Sequence, residues 1–117
     1  MVTPKVAVIG AGIMGSAIAT RLIERGLAVT VFDLDREKVA ALTGKGAVAA
    51  ASVAGATAES DYIILSLNHA NIVKAVIFGE GGVASAASPD KLLIDMSSID
   101  PGETRKLSEK LAAETGM

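Results

Sequence analysis

The chain has no cysteine and no tryptophan, and only one tyrosine, two phenylalanines and one histidine among 117 residues. Without cysteine it can form no disulfide and carry no thiolate chemistry, which fits a reducing compartment. Basic charge is also lacking. A formal net charge of −2 and a pI near 5.3 leave no footprint for nucleic acid. Nor is there an apolar run of the roughly 20 residues that cross a bilayer. Lys5 is the only early basic residue, and the apolar run behind it is broken by glycines within a few positions, unlike a signal peptide. These absences leave a soluble, cytoplasmic protein with no membrane or nucleic-acid partner, and the length suits one domain.

What is abundant is aliphatic. Half the residues are hydrophobic, mostly Ala, Val, Ile and Leu, which suits a parallel sheet buried on both faces. Apolar runs alternate with helical patterns along the chain. "KVAVIG" (Lys5 to Gly10), "AVTVFD" (Ala28 to Asp33), "AVAA" (Ala47 to Ala50), "YIILSL" (Tyr62 to Leu67) and "KLLIDM" (Lys91 to Met96) read as five strands. Between them, Met14, Ile18 and Leu22 mark a helix stopped by Gly26. Asp35 can cap a second helix reaching Leu42, and Ser52 a short third reaching Glu59. Ile72, Val73, Val76 and Ile77 form an apolar helical face that ends at Gly79, and "GEGG" (Gly79 to Gly82) is a loop. After the fifth strand, Asp100, Pro101 and Glu103 have the spacing of a capping box, with Leu107 and Leu111 as the stripe of the last helix. The βα repeat has crossovers suited only to parallel strands.

The first strand runs straight into "GAGIMG". A strand, G-x-G-x-x-G and a helix form the context of a dinucleotide-binding turn. Gly10 allows the tight turn, Gly12 lets a pyrophosphate approach the backbone, and Gly15 lets the helix pack on the strand. The bare pattern can also be a simple turn. Here the acid Asp33 follows 18 residues after Gly15, near the ~20 expected of a carboxylate that holds the adenosine ribose. Asp33 could equally be a solvated turn or capping residue. Arg36 is a candidate lid over the adenine. The fold expected is a Rossmann-type doubly wound α/β sheet. The candidate cofactor cradle is Gly10, Gly12, Ile13, Met14, Gly15 and Asp33. The expected cofactor is NAD, with NADP less favoured because its 2′-phosphate would meet Asp33.

Together, "KVAVIGAGIMGSAIATRLIERG", "VTVFDLDREKV" and "LLIDMSSIDP" resemble the N-terminal half of the β-hydroxyacid dehydrogenases. That group includes 3-hydroxyisobutyrate dehydrogenase, tartronate semialdehyde reductase, the 6-phosphogluconate dehydrogenases and the related imine reductases. The resemblance covers nearly the whole chain. It implies hydride transfer between a nicotinamide cofactor and a small β-hydroxyacid or semialdehyde. It also implies that Leu67, Asn68, Ile72 and Ser98 line the cofactor cleft, with Ser97 a weaker candidate. The alternative for both serines is turn chemistry before Asp100.

This chain departs from the family in "SLNHANIV", where Asn68 stands in place of the usual proline and His69 follows it. The turn after the fourth strand loses that restraint. A lone loop histidine is more often solvated or capping than catalytic. The family's serine-containing strand and lysine-bearing helical domain have no counterpart here. Lys45 and Lys74 read as surface residues, so no catalytic residue is assigned. The chain is expected to be the cofactor half of a longer enzyme, inactive alone. Its open sheet edge and apolar interdomain face should drive homo-oligomers. The rival readings are a stand-alone nucleotide-binding or sensing module and a flavin oxidoreductase, the latter a poorer match to "IDMSSIDP".

Overall fold

The computed structural model describes residues 3–97 and 101–117. Five parallel strands, β1 (Lys5–Ile9), β2 (Ala28–Phe32), β3 (Val48–Ala49), β4 (Tyr62–Leu65) and β5 (Leu92–Asp95), form one sheet in the order β3-β2-β1-β4-β5. The helices are α1 (Ile13–Glu24), α2 (Arg36–Thr43), α3 (Val53–Ala58), α4 (Ala70–Phe78) and α5 (Pro101–Thr115). The chain winds outward from β1 to β3, then crosses back to place β4 on the other side of β1. That reversal makes the carboxyl ends of β1 and β4 a topological switch point, where ligands bind in sheets of this kind.

Strand alternation sends successive side chains to opposite faces. Val6 and Val8 of β1 join Val29, Val31, Ala19 and Leu42 in one core cluster. Ala7 and Ile9 join Ile63, Leu65, Val73, Ile77, Leu107 and Leu111 in the other. Helices α1 and α2 therefore cover one face, and α3, α4 and α5 the other. Each side of β1 is buried, as its unbroken aliphatic sequence requires.

Local signals set the helix ends. Gly26, at φ +83°, donates to Ile23 O at 2.9 Å while Leu27 N donates to Leu22 O at 3.1 Å, a Schellman stop to α1. The Asp35 carboxylate accepts from Glu37 N at 3.0 Å, and Ser52 Oγ accepts from Gly55 N at 3.0 Å. The expected cap Asp100 and the side chain of Glu103 lie outside the described residues.

Two expectations need correction. The strands are shorter than the apolar runs, because β2 and β4 end at Phe32 and Leu65, where the chain bends away over the sheet's carboxyl edge. The apolar stripe of α1 does not include Met14, which is half exposed. Its buried contacts are Gly15 and Ala19. A Cβ on Gly15 would overlap the Gly10 carbonyl oxygen, so the helix starts too close to β1 for a large side chain on that face. A 3₁₀ turn over Val83–Ala86, which the sequence did not signal, follows the "GEGG" loop, with Val83 fully buried, and four residues are too few to show a period.

Candidate functional site

Each of the three motif glycines has a different environment. Gly10 donates to Phe32 O at 2.9 Å and sits at φ +102°, where a Cβ would overlap the Ser66 carbonyl oxygen and meet Leu67 Cδ2 at 3.1 Å. Gly15 is pressed against the Gly10 carbonyl. Gly12, at φ −72° and ψ −163°, has an ordinary backbone, and a Cβ there would meet nothing within 4 Å. Packing explains Gly10 and Gly15 but leaves Gly12 unexplained. The space above it is what an approaching pyrophosphate needs.

Gly12 is also the N-cap of α1, with no side-chain cap and no acidic residue in the first turn. The leading N–H groups of a helix have no intrahelical acceptor, and its dipole favours an anion at that end. The turn is held in shape by Ser16, whose N–H donates to Gly12 O at 2.8 Å and whose hydroxyl donates to Ala11 O at 2.8 Å.

Asp33 reaches back to this turn from the end of β2. Its Oδ2 accepts from Ala11 N at 2.7 Å, and its Oδ1 accepts from Asp35 N at 2.8 Å. The residue is therefore a turn former and a tether for the glycine loop together. A carboxylate offers about four lone pairs, so two remain for ribose hydroxyls. The tether was not legible in the sequence, because it depends on β2 lying beside β1.

A groove of about 130 Å³ opens at the carboxyl ends of β1, β2 and β4, with Gly10, Asp33, Leu34, Leu67, Ile72 and Val76 in its walls. It gathers Gly10, Asp33, Leu67 and Ile72 from the sequence-derived set. Ile13, almost wholly exposed, and Met14 start the neighbouring helix. Asn68 is exposed in the turn before α4 and is not part of the groove wall. Ser98 lies outside the described residues. Arg36 borders an adjoining hollow of about 650 Å³ between α2 and the end of β3, which shares Phe32, Asp33 and Leu34 with the groove.

Four groove residues were missed: Ile9 and Phe32 at the strand ends, Leu34 and Val76. Leu34 is 91% exposed although large and apolar, and its signal is an apolar side chain directly after the strand-end acid. Val76 lies one helical turn beyond Ile72, and the sequence assigned it to the core. Ser97, the weaker cofactor-contact candidate, accepts from Leu67 N through its hydroxyl at 2.8 Å. His69 is the exposed N-cap of α4 and makes no side-chain cap bond, and Lys45 and Lys74 are exposed. Among the described residues no group of three or more His, Asp or Glu side chains could hold a metal. No helix among them is long and apolar enough to cross a membrane.

Known proteins share this fold. Residues 5–117 match the family described as the NAD binding domain of 6-phosphogluconate dehydrogenase. The chain is 42% identical over 109 residues to 3-sulfolactaldehyde reductase of Escherichia coli K12, covering 93% of this chain and 37% of that protein. An imine reductase variant from Myxococcus stipitatus in complex with NAD+ superposes with a TM-score of 0.87 at 28% identity, over 99% of this chain and 38% of that one. A reductive aminase from Aspergillus terreus, in complex with NADPH4, cyclohexanone and allyl amine, gives 0.80 at 26% identity, over 97% and 39%. The chain thus spans little more than a third of the length of each of these proteins. By its glycine turn, its sheet order and this match over almost its whole length, the chain belongs to the family of NAD-binding domains typified by 6-phosphogluconate dehydrogenase.

Proposed function

We propose that this chain is the cofactor-holding part of an oxidoreductase. The enzyme moves hydride between a nicotinamide dinucleotide and a small β-hydroxyacid or semialdehyde, and NAD(H) is preferred to NADP(H). The observation that carries the reading is the open space over Gly12 beside the uncapped start of α1. In this reading Gly12 and the first N–H groups of α1 receive the pyrophosphate. Asp33 takes the ribose hydroxyls, and the apolar walls of Leu34, Leu67, Ile72 and Val76 take the adenine. Ile13, Met14, Asn68 and Ser98 complete the cleft towards the nicotinamide.

Bound there, the dinucleotide supplies or accepts the hydride. This chain's residues bind and orient it. The group that moves the proton at the substrate oxygen is supplied from outside these 117 residues. That division fits relatives nearly three times as long. A homo-oligomeric, cytoplasmic enzyme is part of the same proposal.

The cofactor preference rests on charge. Asp33 is held by two backbone donors, so it cannot swing far from a 2′-phosphate. Two unit like charges at 4 Å repel by about 4 kcal/mol at an effective dielectric of 20. Exposure and salt cut this to about 1–2 kcal/mol, or roughly tenfold in affinity. Calorimetric titration with NADH and NADPH at one ionic strength tests it, with Asp33→Ser as the control. The serine variant also loses the acceptor for Ala11 N–H, so both affinities fall and their ratio isolates the charge. Equal binding of the two cofactors by the wild type, or an unchanged ratio in the variant, removes Asp33 as the selector.

A further inference from the structure

We infer that Ser97 is a positioning residue that clamps the turn after β4 and so sets the wall of the cofactor groove. The inference rests on the dinucleotide reading above. The sheet ladder continues past the strand ends through Ser66 N to Ile9 O at 2.9 Å and Met96 N to Leu65 O at 2.8 Å. Leu67 is the first residue whose N–H finds no strand carbonyl. It donates to Ser97 Oγ at 2.8 Å, across a separation of 30 residues. Ser97 is itself fixed, since its own N–H donates to Asp95 Oδ1 at 2.8 Å. The clamp thus runs from the carboxylate ending β5, through one hydroxyl, to the backbone leaving β4.

The consequence falls on the site. The Leu67 side chain is a wall of the groove, and its Cδ2 lies 3.1 Å from where a Gly10 Cβ would stand. Moving the Leu67 backbone therefore moves the surface facing both the base and the glycine turn. The turn also lacks a proline, with Asn68 next in the chain. A proline would restrain the backbone by its fixed φ. Here a long-range hydrogen bond supplies the restraint.

Two measurements on the full chain test this. In the free wild-type protein, amide hydrogen exchange should show Leu67 protected relative to the neighbouring exposed Asn68. Ser97→Ala should speed exchange at Leu67 by about 5- to 10-fold, the equivalent of one net hydrogen bond. The same variant should weaken NADH binding about 5-fold, and its thermal midpoint should fall by no more than the ~4–8 °C that one lost hydrogen bond accounts for. Ser97→Thr, which keeps the hydroxyl, should restore both readouts, a rescue that a merely space-filling side chain would not require. An unprotected Leu67 amide in the wild type refutes the clamp with no variant needed. Ser97→Ala that binds NADH like the wild type refutes its role in positioning. A wild-type chain that does not bind NADH refutes the dinucleotide reading and the positioning role with it, while the exchange data still decide whether the clamp exists.

Discussion

Replacing Gly12 with alanine should leave the fold intact and weaken dinucleotide binding, whereas alanine at Gly10 or Gly15 should damage the fold itself. At Gly15 the new methyl overlaps the Gly10 carbonyl oxygen, and overpacking of this kind costs about 1–3 kcal/mol. The overlap is with backbone, which puts the cost at the upper end of that range, and the better helix propensity of alanine returns up to about 1 kcal/mol, for a net loss of about 2. Gly10 adds a left-handed φ of +102° to its overlap with Ser66, a further ~1–2 kcal/mol. At Gly12 there is neither clash nor strain. Alanine is a poorer N-cap than glycine by about 0.5–1 kcal/mol, and the stiffer unfolded chain offsets about 0.4–1 kcal/mol. The net change should stay within about 0.5 kcal/mol, or ~4 °C or less in Tm. The methyl would nevertheless stand where the pyrophosphate meets backbone N–H groups. Losing one or two charge-assisted bonds of ~1.5–3 kcal/mol each weakens binding by at least about tenfold. Differential scanning calorimetry and NADH titration of the three variants give both quantities. A Gly12→Ala protein that binds NADH like the wild type, or unfolds as readily as Gly15→Ala, would refute the reasoning.

The chain alone should show no dehydrogenase turnover. NADH oxidation with a panel of small semialdehydes and β-keto acids should stay far below ~1 s⁻¹, and an ordinary enzymatic rate would contradict the assignment of proton transfer to another part of the enzyme. The purified chain should also associate. Strand β5 is paired on one side only, Leu92 is 52% exposed, and a hollow of about 220 Å³ beside it is lined by Leu93, Leu107, Leu111 and Met117. Light scattering over a wide concentration range should find dimers or larger species, and a clean monomer throughout would count against this.

Much of the fold was legible because its signals are local. Strands buried on both faces write unbroken aliphatic runs, and Asp35, Ser52 and Gly26 mark helix ends within a few residues of their partners. The glycine turn and Asp33 were legible for the same reason. Features that depend on neighbours distant in sequence were not. The tether from Asp33 to Ala11 spans 22 residues, and the bond from Leu67 to Ser97 spans 30, so neither leaves a pattern in the chain. Met14 misled because its spacing fits a buried stripe. The helix start is instead set by the overlap a Cβ on Gly15 would create with Gly10, which only the packed sheet reveals. Leu34 was passed over because an apolar residue in a turn carries no periodic signature.

The central claim is that the carboxyl edge of this sheet receives a dinucleotide through Gly12, and backbone amide shifts test it most directly. Titrating NADH into the isotope-labelled chain should give saturable shifts at Gly10 to Gly15, Asp33, Leu67 and Ile72, with the residues at the opposite ends of the strands, such as Lys5 and Tyr62, unmoved. No saturable binding, or shifts centred instead on the hollow beside Leu93 and Leu111, would contradict it.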